Sequence, residues 1–233
     1  MLPLTGEKRR FPADQYVFMA TRMGTVKKTA LDEFSNPRKG GIIAIKLDEG
    51  DILIGAALTD GQHDVMLFSD GGKAVRFDEG DVRKLGRDTR GVRGMMLEDG
   101  QSVIAMLVAE DEQQSVLTAT QNGYGKRTSI TEYTRHGRGT KGMIAITQSE
   151  RNGKVVAATL VHALDEIMLI TDKGVLVRTR VSEIRELGRA TQGVTLIALD
   201  EGSELSGLQR IVENDAIPSD TDIADENSDE PAV

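Results

Sequence analysis

With 233 residues, a formal net charge of -8, no cysteine, no tryptophan and 3% aromatic residues, the composition argues against a disulfide scaffold, a cysteine-based zinc site and a stacking platform for single strands. No apolar run approaches 18 residues and no signal peptide opens the chain, so a soluble intracellular protein is expected, with no membrane partner. Eight of the 37 acidic residues lie from Glu213 onward, where there is no Lys or Arg, which leaves 29 residues of each sign in the body.

Residues 1–16 resemble the last strand and exit loop of a preceding repeat. One phrase then recurs four times, as Val17 to Thr29, Val65 to Phe77, Val116 to Thr128 and Ile167 to Thr179. Its glycines, Gly24, Gly72, Gly123 and Gly174, are spaced 48, 51 and 51 residues apart. Each copy opens a unit, giving blades at 17–64, 65–114, 115–165 and 166–212.

Within the first unit, Val17 to Thr21, Thr25 to Thr29, Ile42 to Leu47 and Ile52 to Leu58 are apolar, β-branched and of strand length. Met23-Gly24, Gly71-Gly72, Asn122-Gly123 and Lys173-Gly174 supply tight hairpin turns. A longer polar connection follows the second strand and ends at Gly41, Gly91, Gly142 or Gly193. Four short strands per period of about 50 residues predict a propeller-like all-β array with four blades of four antiparallel strands. Such blades must stack to bury their faces, and four of them are expected to form an open arc. Residues 213–233, acidic and without an aromatic residue, are expected to be disordered.

No catalytic constellation is legible. His63, His136 and His162 stand at non-equivalent repeat positions, and Gly137 to Gly142 matches GxGxxG but is followed by a strand pattern where a dinucleotide site needs a helix. No phosphate-binding GxxxxGK[ST] motif occurs.

Cations, by contrast, repeat with the architecture. Lys28, Arg76, Arg127 and Arg178 follow the four phrase glycines by four residues. The long connections carry Arg38 and Lys39; Arg83, Lys84, Arg87, Arg90 and Arg93; Arg135, Arg138 and Lys141; and Arg185 and Arg189. Solubility requires no periodic placement, so the set is read as a rim facing a polymer of evenly spaced negative charge. With no recognition helix and few aromatics, that polymer is expected to be duplex DNA, bent around the rim with little base reading.

Asn122 to Thr128 (NGYGKRT), Val177 to Ile184 (VRTRVSEI), Thr89 to Gly94 (TRGVRG) and Gly24 to Thr29 (GTVKKT) closely resemble the carboxy-terminal domain of the DNA gyrase A polypeptide, and the resemblance runs from about Leu2 to Val212. It implies a β-pinwheel, in which blades exchange a strand with their neighbours; periodicity does not distinguish this from an ordinary propeller. It also implies DNA wrapping in service of ATP-driven negative supercoiling by a type II topoisomerase, the gyrase A2B2 complex. The DNA-facing role carries over to Lys28, Arg76, Arg127 and Arg178 and to Arg38, Lys39, Arg87, Arg90, Arg93, Arg135, Arg138, Lys141 and Arg189.

The family's catalytic region is not matched, and Tyr16, Tyr124 and Tyr133 occupy blade positions unsuited to its nucleophile. The resemblance therefore implies no catalytic residue and no cofactor here, with ATP and Mg2+ used elsewhere in the full enzyme. The gyrase B polypeptide and a second gyrase A polypeptide would be reached through the missing amino-terminal region, and the place of action would be the bacterial cytoplasm, at the nucleoid. The family's QRRGGKG box has only degenerate echoes, in Arg90 to Gly94 and Lys39 to Gly41, so the chain is expected to supply the last four of six blades. The alternatives are the equivalent domain of topoisomerase IV and a protein-interaction propeller, which would need aromatic-rich blade motifs.

Overall fold

The computed structural model describes residue 11, residues 13–109 and residues 111–211. The acidic tail from 213, and most of the segment expected to end a preceding blade, lie outside the described residues.

In the first repeat β1 (Tyr16–Thr21) and β2 (Thr25–Ala30) form a hairpin, and β3 (Leu53–Thr59) returns along the other side of β1. The second repeat contains β4 (Asp64–Ser69), β5 (Lys73–Asp78), the two-residue β6 (Val92–Arg93) and β7 (Val103–Ala109). The third has β8 (Ser115–Thr120), β9 (Tyr124–Ser129), β10 (Met143–Ile144) and β11 (Val155–Val161). The fourth has β12 (Glu166–Thr171), β13 (Leu176–Arg180), β14 (Val194–Thr195) and β15 (Leu205–Ile211). A single turn of 3₁₀ helix follows the second strand of every repeat.

The short third strand of each repeat does not stay in its own sheet. β6 pairs with β2, β10 with β5 and β14 with β9, so the sheet orders are β3-β1-β2-β6, β7-β4-β5-β10, β11-β8-β9-β14 and β15-β12-β13. Every blade with a successor borrows its outermost strand from it. This is the strand exchange of a β-pinwheel, and among the described residues it leaves four strands in each of the first three sheets and three in the fourth. It also explains why Ile42 to Leu47, expected as a strand, is irregular. That stretch is the first repeat's donor, and among the described residues there is no earlier sheet to receive it. Ile43 is accordingly 57% exposed.

Glycine makes the exchange possible. At Gly142, φ is +76° and a Cβ would lie 2.4 Å from the Ala74 carbonyl oxygen of the receiving strand. At Gly91 and Gly193 a Cβ would lie 2.6 Å from the Val26 and Gly125 carbonyl oxygens, whereas Gly41, ahead of the unpaired donor, has open space around it.

Side-chain alternation sends each central strand into two cores. Val65 and Leu67 of β4 face Phe18, Ala20 and Val26 of the first blade, while Met66 and Phe68 face Val116, Ile130 and Tyr133 of the third. Phe68 meets Tyr133 edge to face at 5.9 Å. A third core joins Leu117 and Ala119 to Ile167, Leu169 and Val181. Strands β4 and β8 are buried along their whole length, but β12 alternates between buried and half-buried residues because no further sheet covers its second face among the described residues. β3, β7, β11 and β15 pack against one another on the inside of the arc. The borrowed strands and the connections leading to them therefore form the outer edge.

Candidate nucleic-acid interface

The four phrase cations are placed identically by their hairpins, and what three of them reach is the neighbouring blade. Lys28 donates from Nζ to the Glu79 carbonyl at 2.8 Å, Arg76 from Nη1 to that of Ile130 at 3.0 Å, and Arg127 from Nε to that of Ile184 at 2.9 Å. Each acceptor lies at or just past the next repeat's 3₁₀ turn. The cation thus latches one blade to its successor. Lys28 and Arg76, expected to face DNA, are each only 6% exposed. Arg76 also binds Asp64 at 2.7 Å, the Tyr133 carbonyl at 3.3 Å and Glu112. Burial works against its charge, but the Glu112 and Asp64 carboxylates outweigh it and hold the guanidinium above its ordinary pKa. Lys28 additionally lies 5.1 Å from the centre of the Tyr16 ring. Arg178 has a 53% exposed side chain and pairs with Glu166 of its own blade.

The loop cations divide into two groups. Arg87 and Arg189 turn inward and donate from Nη1 to the Ile43 and Ile144 carbonyls at 2.9 and 2.8 Å. Arg138 spans the carbonyls of Asp81 and Arg93, both at 3.0 Å, and Arg135 pairs with Asp64 at 2.8 Å and with Asp78 at 3.4 Å. Arg90 pairs with Asp48 at 3.0 Å on the surface, where such a pair is weak and exchangeable. Arg38, Lys39, Arg83, Lys84, Arg93, Lys141 and Arg185 are exposed, and their side chains make no hydrogen bond or ion pair among the described residues. Six of these seven cations stand on connections and Arg93 on the lent strand β6, all at the outer edge of successive blades, ready for an external anion.

Asp60, His63 and Glu79 converge between the first two blades, with His63 Nδ1 2.8 Å from Asp60 and 3.6 Å from Glu79. The buried Glu79 carboxylate already accepts Thr59 Oγ1 and the amides of Gly61 and His63. These bonds shape the linker and take three of the carboxylate's roughly four lone-pair sites.

Sequence reasoning missed two buried lysines. Lys27 and Lys126, each beside a phrase cation, have no exposed surface. Burial depresses both ammonium pKa values: Glu33 and Asp88 oppose the effect at Lys27, and that of Lys126 falls to about 8 despite Glu132. Their signal was an alternation at one phrase position, which reads Lys27, Val75, Lys126 and Val177.

A family model described as the DNA gyrase C-terminal domain, beta-propeller, matches residues 15–60, 63–110, 114–162 and 165–211. The gyrase A polypeptide of Pseudomonas aeruginosa is 54% identical over 209 residues, covering 90% of this chain and 22% of that protein. The Escherichia coli counterpart is 53% identical over 213 residues, covering 91% of this chain and 24% of its own length. The chain therefore spans about a quarter of these relatives. Among solved structures, the C-terminal domain of DNA topoisomerase IV aligns with a TM-score of 0.82 at 26% identity, covering 87% of this chain and 63% of that one. A DNA gyrase A C-terminal domain aligns at 0.77 and 28% identity, covering 86% and 67%.

Proposed function

The chain belongs to the DNA gyrase C-terminal domain family, and from that premise we propose that it is a non-catalytic module that binds duplex DNA along its outer edge and bends it. In the complete A2B2 enzyme this bend would present DNA for ATP-dependent strand passage and so introduce negative supercoils. The gyrase B polypeptide and a second gyrase A polypeptide would be engaged through the rest of the full-length protein, in the bacterial cytoplasm at the nucleoid.

The observation that carries the reading is the set of exposed cations on equivalent connections that make no hydrogen bond or ion pair among the described residues. The contact set proposed from it is Arg38, Lys39, Arg83, Lys84, Arg93, Lys141 and Arg185, with Arg90 released from Asp48 when a phosphate competes. Arg87, Arg135, Arg138 and Arg189 support it by holding the connections in place. Contacts of this kind are to phosphates and are indifferent to sequence.

Fluorescence anisotropy with a mixed-sequence duplex, titrated across salt, tests this reading. The affinity should fall with a log–log slope of about -0.9 per phosphate neutralised, and Lys141→Ala should lower that slope by about one contact. A salt-insensitive affinity, or none at low salt, overturns the reading. A topoisomerase IV origin has the shared fold in its favour. It would be supported if the domain, grafted onto a gyrase catalytic core, bound duplex but failed to yield negative supercoils.

A further inference from the structure

We infer that Lys27 and Lys126 are positioning residues: each buried ammonium gathers the carbonyls of the following repeat's connection and so sets the attitude of the cations that flank it. The inference rests on the duplex-binding reading and names what organises that surface.

The sequence motif Gly-Arg-x-Thr-x-Gly occurs three times, at Gly86 to Gly91, Gly137 to Gly142 and Gly188 to Gly193, and a leucine precedes it only in the two connections that follow a blade carrying one of these lysines. Lys27 Nζ donates to the carbonyls of Thr89 at 3.1 Å, Ala44 at 2.8 Å and Arg87. Lys126 Nζ donates to those of Gly188 and Arg189. Around each ammonium the same further bonds recur. The Leu85 and Leu187 amides donate to the Lys28 and Arg127 carbonyls, at 2.8 and 2.9 Å, a bond that the His136 amide also makes to the Arg76 carbonyl at 2.8 Å where no lysine is present. The Arg87 and Arg189 amides donate to Glu33 and Glu132, at 2.9 and 3.0 Å. Thr89 and Thr191 close each turn by donating to the Gly86 and Gly188 carbonyls.

Two sites built so nearly alike, two repeats apart, are a device rather than a coincidence of packing. The chemistry accounts for the choice of lysine. A cluster of convergent carbonyls needs several donors from one point, and an ammonium supplies three with its positive charge offsetting theirs. Val75 and Val177, at the same position in the other two blades, have no donor to offer. Arg83, Lys84, Arg90 and Arg93 flank the first clamped turn, and Arg185 precedes the second. Their backbones are therefore fixed by a group that never meets solvent.

The test uses the full chain with Lys27→Met and Lys126→Met. Amide exchange should quicken by roughly tenfold or more in residues 85–91 for the first variant and 187–193 for the second, leaving the other site protected. Duplex affinity should fall, with the salt slope reduced by about one contact. Because the chain has no cysteine, Lys126→Cys can be aminoethylated in denaturant and refolded; regaining the ammonium should restore both loop protection and slope. Glu132→Gln, an exposed site, loosens the same turn should Lys126→Met fail to fold, and it should shift exchange and slope in the same direction.

Faster loop exchange with unchanged affinity and slope overturns the inference, as does unchanged exchange in the clamped turns. Absence of duplex binding by the unmodified chain, with the exchange effects present, overturns the duplex-binding reading and with it the purpose assigned to the clamp, while the clamp itself stands.

Discussion

Replacing Arg76 with Met separates latch from DNA contact. The side chain lies between Asp64, which is 3% exposed at its side chain, and the carbonyls of Ile130 and Tyr133 in the next blade. Removing it leaves the buried Asp64 carboxylate with only the exposed Arg135 fork, the Tyr133 carbonyl without its donor and the Ile130 carbonyl with only the Tyr133 amide. Breaking one side of a buried pair costs about 3–5 kcal/mol. In a domain of this size each kcal/mol lowers the melting temperature by about 2–4 °C, so calorimetry should show a fall of about 10 °C. The salt slope of duplex binding, measured well below the transition, should not change. Adding Asp64→Leu should recover more than half of the loss, because the stranded charge goes with it. A melting temperature unchanged within about 2 °C, together with a slope reduced by about one contact, would refute the burial argument and return Arg76 to the DNA-facing set.

Two further outcomes test other parts of the fold. Gly142→Ala places a methyl group 2.4 Å from the Ala74 carbonyl at a φ of +76°, so β10 should detach from β5: amide exchange should rise at Met143 and Ile144 while β12 and β15 keep their protection. The buried Lys126 ammonium loses its proton at about 8 against an ordinary value of 10.5. Between those values the unfolded chain holds more protons, so the denaturant-derived stability of the unmodified chain relative to Lys126→Met should be flat below pH 8 and climb above it by up to one proton's worth of slope. A relative stability that falls over that range contradicts the placement of Lys126.

The period, the hairpins and the strand type were legible because Gly24, Gly72, Gly123 and Gly174 interrupt apolar, β-branched runs at a constant spacing. Which sheet receives each third segment was not. Val92 can satisfy the pattern of its own repeat or that of the repeat before it, and only three-dimensional pairing chooses β2. The same ambiguity made Ile42 to Leu47 read as a strand, although a donor becomes one only against a receiver. Arg76 and Lys28 show a related ambiguity. A cation at a fixed place in every repeat can mark a periodic ligand or a periodic joint, and Asp64, the buried counter-charge that decides for a joint, stands in the neighbouring strand of the same hairpin. The exposed connection residues were legible as cations, but the inward turn of Arg87 and Arg189 depends on backbone carbonyls, which carry no sequence signature.

Strand lending also orders events in time. When a ribosome has delivered β1, β2 and β3, the first sheet still lacks its outer strand, because β6 follows only after β4 and β5 have been made. Each blade is completed by its successor, and its unpaired edge stays open for most of a repeat's synthesis. Such an edge invites pairing with other chains. The waiting edges β2, β5 and β9 are six residues long, whereas β6, β10 and β14 are two, so each edge is closed by a short ladder that the connection behind it must hold in place. The array is thus assembled as a queue, in which every place is held open until the next arrival fills it.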